Sequence, residues 1–288
     1  CLCCTGCGYS EASRRCWKDT APASILRSMI FVAPMMDWTD RHCRYFMRLV
    51  SPRGFLYTEL VTANALHYGD AESLLRYDPS EHPIAIQLGG SDPQMMAEAA
   101  GLAAEVGYDE ININVGCPSD RVQSGQFGAC LMARPDLVAD CYRAMQAAAD
   151  VPVTVKTRIG IDDHDSDEFF MRFVETLAAA GCRKFVVHAR IAILEGLSPK
   201  ENRSVPPLNY ERVYQLKREH PELDIVVNGG ITVISQDGSS ADHLPMPDPV
   251  TTNICFGGTD LRTAYITLSM TGRLVSTEWQ TAGLKLAF

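Results

Sequence analysis

No apolar run in this 288-residue chain approaches the roughly 20 residues needed to cross a bilayer as a helix, so nothing in it reads as a membrane-spanning helix. Basic residues are not in excess either: 26 Lys and Arg stand against 35 Asp and Glu, a net charge of −9. The whole imbalance lies between Phe31 and Gly230, where 19 basic residues face 28 acidic ones. A protein that held nucleic acid through a broad electrostatic footprint would show the opposite balance. Any RNA contact must therefore come from a local basic patch or from a missing segment, and DNA is not an expected partner. Paired cysteine spacing is also absent. Of 11 cysteines, five crowd into Cys1–Cys16, and the rest (Cys43, Cys117, Cys130, Cys141, Cys182, Cys255) follow no pattern. Cys4-x-x-Cys7 offers half a zinc site, but no second CxxC or His pair follows it. The leader, residues 1–28, carries Arg14, Arg15 and Lys18 without the apolar core of a secretory signal. It reads as extraneous or disordered, and a cytoplasmic monomer is the expectation.

Apolar content of 46% and charged content of 21% suit a globular protein, and the length suits one α/β barrel or two ordinary domains. From Phe31 onward, short β-type runs recur at 31–34, 55–61, 84–88, 110–115, 153–158, 184–188 and 224–228. Amphipathic stretches at 92–106, 135–149, 166–180 and 210–219 lie between them. Asp92-Pro93 and Arg134-Pro135 are helix starts, and Gly107 and Gly181 are helix stops. Seven β units with intervening helices predict a parallel sheet closing toward a (β/α)8 TIM barrel. A doubly wound open sheet is the alternative, but no G-x-G-x-x-G follows the first strand.

The run Asn112-Ile113-Asn114-Val115-Gly116-Cys117-Pro118-Ser119 takes a strand into a sharp loop and sets a lone thiol at its C-terminal tip. In a parallel barrel that tip is where chemistry is done. A buried structural cysteine is the competing reading, disfavoured by the two asparagines and the proline. The other strand ends carry Pro34-Met35-Met36-Asp37, Glu59, Gln87, Lys156, Arg158, His188, Arg190 and Asn228-Gly229-Gly230. Each alone is an ordinary hydrogen-bonding residue. Together they would cost a few kcal/mol apiece if buried unpaired, and they suit a polar, redox-capable ligand. Asp162-Asp163-His164-Asp165 looks like a metal cluster, yet solvation and the helix-start preference for acidic groups explain it better. No metal site is expected.

Residues 31–230 closely resemble the tRNA-dihydrouridine synthases, in particular the A-type branch acting in the D-loop of tRNA. Ala33-Pro34-Met35-Met36-Asp37-Trp38-Thr39-Asp40-Arg41, Gln87-Leu88-Gly89-Gly90-Ser91, Asn114-Val115-Gly116-Cys117-Pro118-Ser119 and Gly125-Gln126-Phe127-Gly128-Ala129 carry the resemblance. Val155-Lys156-Thr157-Arg158-Ile159-Gly160, His188-Ala189-Arg190, residues 196–203 and Asn228-Gly229-Gly230 complete it in order. The resemblance implies an FMN-binding TIM barrel, residues 29–230, that reduces a tRNA uridine with NADPH. It places Pro34, Met35 and Met36 along the flavin, Gln87 and Lys156 at its polar edge, and His188, Asn228, Gly229 and Gly230 around its phosphate. Cys117 becomes the proton donor to uracil C5, and Asn114, Arg190, Lys200 and Arg203 the RNA contacts. Gly125 and Gly128 either loosen a mobile loop that carries Cys117 or merely make tight turns. A reductase of a small pyrimidine or quinone, and an inactive fragment, are the competing readings.

After Gly230 the resemblance ends, where the family continues into an eighth strand and a C-terminal helical domain. A barrel lacking both is expected. Residues 231–288 instead resemble the last blade of gluconolactonase-type propellers, through Pro247-Asp248-Pro249-Val250-Thr251-Thr252-Asn253 and Asp260-Leu261-Arg262-Thr263-Ala264-Tyr265. A hairpin is predicted around Met270-Thr271-Gly272. The junction implies a chimera of unrelated coding sequences, with a divergent synthase terminus as the alternative.

Overall fold

The computed structural model describes residues 31–51 and 54–228 and, beyond them, 231–234, 241–244, 251–257, 259–260, 262–268 and 273–278. The leader 1–28, Gly229, Gly230 and the turn residues 270–272 lie outside the described residues. Seven strands, β1 (Phe31–Val32), β2 (Phe55–Thr62), β3 (Ile84–Gly89), β4 (Glu110–Val115), β5 (Val153–Thr157), β6 (Lys184–His188) and β7 (Asp224–Asn228), form one parallel sheet in sequence order. A doubly wound sheet reverses its strand order at a switch point. This one never does, so the chain winds in one direction and the open-sheet alternative fails. Among the described residues, β1 and β7 do not pair with each other, and the barrel appears as seven of its eight expected units. β1 stops at Val32, short of the predicted Pro34. There the chain turns, with Trp38 and Thr39 both donating their N–H to the carbonyl of Met35.

The long helices are α4 (Pro93–Val106), α6 (Pro135–Ala148), α7 (Asp167–Ala179) and α8 (Tyr210–Glu219), within a residue or so of the sequence expectation. Asp92 accepts from the N–H of Gln94 and Met95, Ser166 from Phe169 and Asn209 from Arg212. These caps satisfy donors that the first turn leaves orphaned. Gly107 closes α4 at φ 104°, a conformation that side chains rarely adopt. Shorter helices are α1 (Arg41–Val50), α2 (Ala63–Tyr68), α3 (Ala71–Leu74) and α5 (Asp120–Ser124).

Strand alternation divides the core in two. Ile84, Ile86, Leu88, Ile111, Ile113 and Val115 face the helices and pack with Met96, Ala100, Val138, Met145, Phe170 and Phe173. On the opposite, concave face, Phe55, Tyr57, Ala85 and Val186 make a second cluster with Phe31 and Val226. Each fully buried aliphatic side chain contributes about 1.5–3 kcal/mol, so the helix-facing layer supplies most of the apolar stabilisation. α1 is built the other way round. Arg44 and Arg48 are buried, whereas Tyr45, Phe46 and Leu49 face outward. Arg44 pairs with the wholly buried Glu81 at 2.5 Å, and Arg48 donates to the carbonyls of Ser51, Glu81 and Pro83.

Beyond β7, strands β8 (Ile231–Ile234) and β9 (Ala241–Leu244) pair antiparallel with each other. β10 (Thr251–Gly257), β11 (Thr263–Leu268) and β12 (Arg273–Glu278) make an antiparallel three-stranded sheet. The β11–β12 pairing, with Leu268 opposite Arg273, is the hairpin expected from the sequence. None of these strands joins the parallel sheet. Among the described residues no helix is long and apolar enough to cross a membrane.

Candidate active site

A strand's period of two puts Glu110, Asn112 and Asn114 of β4 on the concave face, beside Gln87 of β3, Thr154 and Lys156 of β5 and His188 of β6. Register brings Gln87 opposite Asn112, Asn114 opposite Lys156 and His188 opposite Asn228. Of the polar residues expected at the strand ends, Gln87, Asn112 and Asn114 are joined side chain to side chain, together with Lys184, Glu110, Tyr57 and Thr154. Their side chains form a continuous path. Lys184 Nζ lies 2.6 Å from Glu110 Oε2. Tyr57 and Thr154 donate their hydroxyls to Glu110 Oε1 at 2.9 and 2.7 Å. Asn112 Nδ2 donates to Thr154 Oγ1 at 2.8 Å, Gln87 Nε2 to Asn112 Oδ1 at 2.8 Å, and Asn114 Nδ2 to Gln87 Oε1 at 2.7 Å.

The path ends at Cys117. Asn114 Oδ1 accepts from the backbone N–H of Gly116 at 3.1 Å and of Cys117 at 3.0 Å, an Asx turn that fixes the loop at the strand tip. The Cys117 thiol is half-buried and donates to Ser119 Oγ at 3.5 Å. The bend after α5 holds the loop from the other side, because Ala129 N–H donates to the Cys117 carbonyl at 2.9 Å. Gly128 has φ 77°, and a Cβ there would sit 2.6 Å from that carbonyl oxygen. A Cβ on Gly125 would run into the ring of Phe127. Both glycines serve close packing and a tight turn, the second of the two readings offered by the sequence.

The surroundings are cationic. Lys156 has no hydrogen-bond or ion-pair partner among the described residues, and burial followed by the nearby Arg158 pushes its pKa down to about 8. The thiol of Cys117 lies close enough to act on it electrostatically. His188 is held well below its ordinary value by burial first and then by Arg158, Lys156, Arg190 and Arg203, so its ring is neutral at pH 7. Arg158 is buried and has no carboxylate partner among the described residues. It donates to the carbonyls of Gly116 at 3.2 Å, Ile191 at 3.2 Å and Asn202 at 2.9 Å. It ties the thiol loop to two neighbouring segments, a role that no sequence signal announces. The positive side chains of Lys156, Arg158, Arg190 and Arg203, all close enough to act on His188, make a setting for an anionic or carbonyl-rich ligand.

The remaining expected residues divide by exposure. Pro34 and Met35 are half-buried and Met36 is exposed, at the C-terminal tip of β1. Lys200 and Arg203 are exposed on the segment between β6 and α8. Arg190, expected at an RNA surface, is buried, and its Nη1 donates to the carbonyls of Ser204 and Pro206. Asn114, expected likewise, is also buried and occupied by Gln87 and the thiol loop. Asn202 escaped the sequence reading. It is wholly buried and bonds Ile193 through both amide atoms at 2.7 and 2.8 Å, which shapes the segment carrying Lys200 and Arg203. The acidic run 162–165 turns out to have structural partners. Asp165, together with Asp167, pairs with Arg212 of α8 at 2.9 and 2.6 Å.

The sequence profile of the dihydrouridine synthase (Dus) family matches residues 31–243, and that of the SMP-30/gluconolactonase/LRE-like region matches residues 225–270. The two overlap around the predicted junction at Gly230. Among curated proteins, the tRNA-dihydrouridine(20/20a) synthase of Shewanella oneidensis is 60% identical over 213 residues, 74% of this chain and 63% of that protein. The enzyme of the same name from Synechocystis is 61% identical over 213 residues, 74% of this chain and 64% of its own length. That from Pseudomonas syringae is 60% identical over 219 residues, 76% and 64% respectively. The chain thus spans somewhat less than two thirds of the length of these relatives.

Proposed function

This chain belongs to the dihydrouridine synthase family, and from that premise we propose that it reduces uridine to 5,6-dihydrouridine in the D-loop of tRNA. The observation that carries the proposal is a thiol on a fixed strand-tip loop, beside an ammonium that has no acceptor among the described residues. FMN, if held here and reduced by NADPH, would supply hydride chemistry for the uracil C5–C6 bond. Cys117 would give its proton to C5. A thiol hydrogen held at the strand tip is the group suited to serve as that acid.

Lys156 is the residue best suited to hold the flavin's polar edge. A ligand bearing carbonyl oxygens or negative charge there gives its ammonium the partner it lacks and stabilises anionic character in the ring. Pro34, Met35 and Met36 would offer the flavin an apolar edge, and Gln87 retains one amide hydrogen and one lone pair beyond its present bonds. Neutral His188, with Asn228, Gly229 and Gly230, would receive the phosphate. For RNA, exposed Lys200 and Arg203 are assigned to phosphates. The remaining amide hydrogen of Asn114 is assigned to the uracil, and Arg190 acts only by holding the 204–206 backbone. The target base must leave its stack, at a cost of a few kcal/mol. Residues 29–230 would form the reductase unit and residues 231–288 a segment of separate origin.

The test is complementation. A strain lacking tRNA dihydrouridine at these positions receives the full chain, and dihydrouridine is quantified in digested tRNA while the purified protein is inspected for flavin absorbance. Restored dihydrouridine supports the proposal. A yellow protein that restores none would shift it to a reductase of small pyrimidines or quinones. A colourless protein that restores none would make it an inactive fragment.

A further inference from the structure

The path from Glu110 to Cys117 has a direction, and both of its ends demand the same one. At the floor, Glu110 faces Lys184 at 2.6 Å and is a carboxylate that can only accept. Thr154 must therefore give it the hydroxyl hydrogen, leaving Thr154 Oγ1 free to accept from Asn112 Nδ2. With its NH2 turned to Thr154, Asn112 presents its carbonyl to Gln87 Nε2. Gln87 then presents its own carbonyl to Asn114 Nδ2. Asn114 is left with Oδ1 toward the loop, where Gly116 and Cys117 offer backbone N–H groups that can only donate. Working back from those amides gives the same assignment at each link. Reversing any one amide would bring donor against donor or acceptor against acceptor in a setting where Thr154 and Asn112 are essentially inaccessible to water.

We infer that Thr154 is a positioning residue for Cys117. Its single hydroxyl passes the polarity of the Glu110 carboxylate through Asn112, Gln87 and Asn114 to the turn that presents the thiol. Thr154 touches none of the reacting groups and lies two residues before Lys156 on β5, three side chains from the loop it governs. The same chain fixes which atom of the Gln87 amide points where. This inference rests on the reading of Cys117 as the acid, but its test does not require turnover.

Tyr57 supplies an internal control. It donates to the same Glu110 oxygen and is equally buried, yet it lies off the path. Amide hydrogen exchange at Gly116 and Cys117 is measured by NMR or mass spectrometry in the full chain carrying Thr154→Val, Thr154→Ser, Tyr57→Phe or Asn112→Asp. Thr154→Val keeps the volume and removes the hydroxyl. Asn112→Asp puts an acceptor where the path requires a donor, and it serves where Thr154→Val fails to accumulate as folded protein. We expect Thr154→Val and Asn112→Asp to speed exchange at these two amides at least tenfold. Thr154→Ser should restore protection to within about threefold, and Tyr57→Phe should leave it unchanged whatever it does to overall stability. Exchange within twofold of the parent in Thr154→Val and Asn112→Asp would overturn the inference. An equal increase in Tyr57→Phe would do the same. Exchange reads the loop without substrate, so a chain that forms no dihydrouridine would count against the proposed function while leaving this result intact.

Discussion

Replacing Asn202 with alanine should release the segment that carries Lys200 and Arg203 without unfolding the barrel. Asn202 is wholly buried and makes four side-chain bonds. Ile193 N–H donates to its Oδ1 at 2.7 Å, and its Nδ2 donates to the carbonyls of Ile193 at 2.8 Å, Leu197 at 3.2 Å and Ser198 at 3.3 Å. The two short bonds set the magnitude. Truncation strands the N–H and carbonyl of Ile193, each worth about 1–3 kcal/mol when buried without a partner. Because Ile193 is only half-buried, water recovers part of this, and about 2–3 kcal/mol in total is the working figure. The open population of the segment then rises roughly 30- to 150-fold. Trypsin reads this directly, since Lys200-Glu201 and Arg203-Ser204 are cleavable once the backbone opens, and when reclosing is fast relative to cleavage the rate tracks that population. The backbone carbonyl of Asn202 that receives Arg158 survives in the alanine variant, so the thiol loop should hold. Cleavage within threefold of the parent would refute the argument. So would a fall in Tm of roughly 5–10 °C, the shift expected if the cost were shared by the whole domain.

Further expectations concern the acid, the ammonium and the frame. Cys117→Ala should cut dihydrouridine formation by about 10²- to 10⁴-fold while flavin binding persists, and turnover within tenfold would remove Cys117 from its role. With its pKa at about 8, Lys156 loses its charge as pH rises through that value. FMN affinity should weaken above pH 8 by up to tenfold per pH unit, a slope that Lys156→Met abolishes and that titration by fluorescence quenching would detect. The same depression means that the unfolded chain binds more protons between about pH 8 and 10.5. The residue's contribution to stability is therefore lowest below pH 8 and recovers as pH climbs through that window. Arg44→Met strands the wholly buried Glu81 carboxylate and should cost about 3–5 kcal/mol in urea unfolding; a loss below 1 kcal/mol would show that the pair contributes little.

Period-two and helical patterns placed all seven parallel strands and the four long helices within a few residues, because burial on both faces and capping by Asp92, Ser166 and Asn209 leave marks in local sequence. Cys117 and its strand tip were legible for the same reason. α1 was not, since its buried residues are Arg44 and Arg48 and its outward ones are Tyr45, Phe46 and Leu49, which inverts the usual amphipathic signature. That Asp165 and Asp167 would meet Arg212, across a gap of 45 residues or more, has no local sign. Nor did the strand ends reveal that Arg190 and Asn114 turn inward.

What the sequence by itself determined is the inventory: parallel β/α units in order, a thiol at the tip of β4, polar residues at the ends of its neighbours and a change of character near Gly230. Each of these follows from alternation, capping and motif order, which are properties of neighbours along the chain. Only the tertiary structure decided which of those polar groups spend their bonds on one another. Hydrogen-bond polarity runs across strands, from Lys184 and Glu110 through Thr154, Asn112, Gln87 and Asn114 to Cys117. Its direction is set by partners 25 to 74 residues apart, whose meeting depends on strand register.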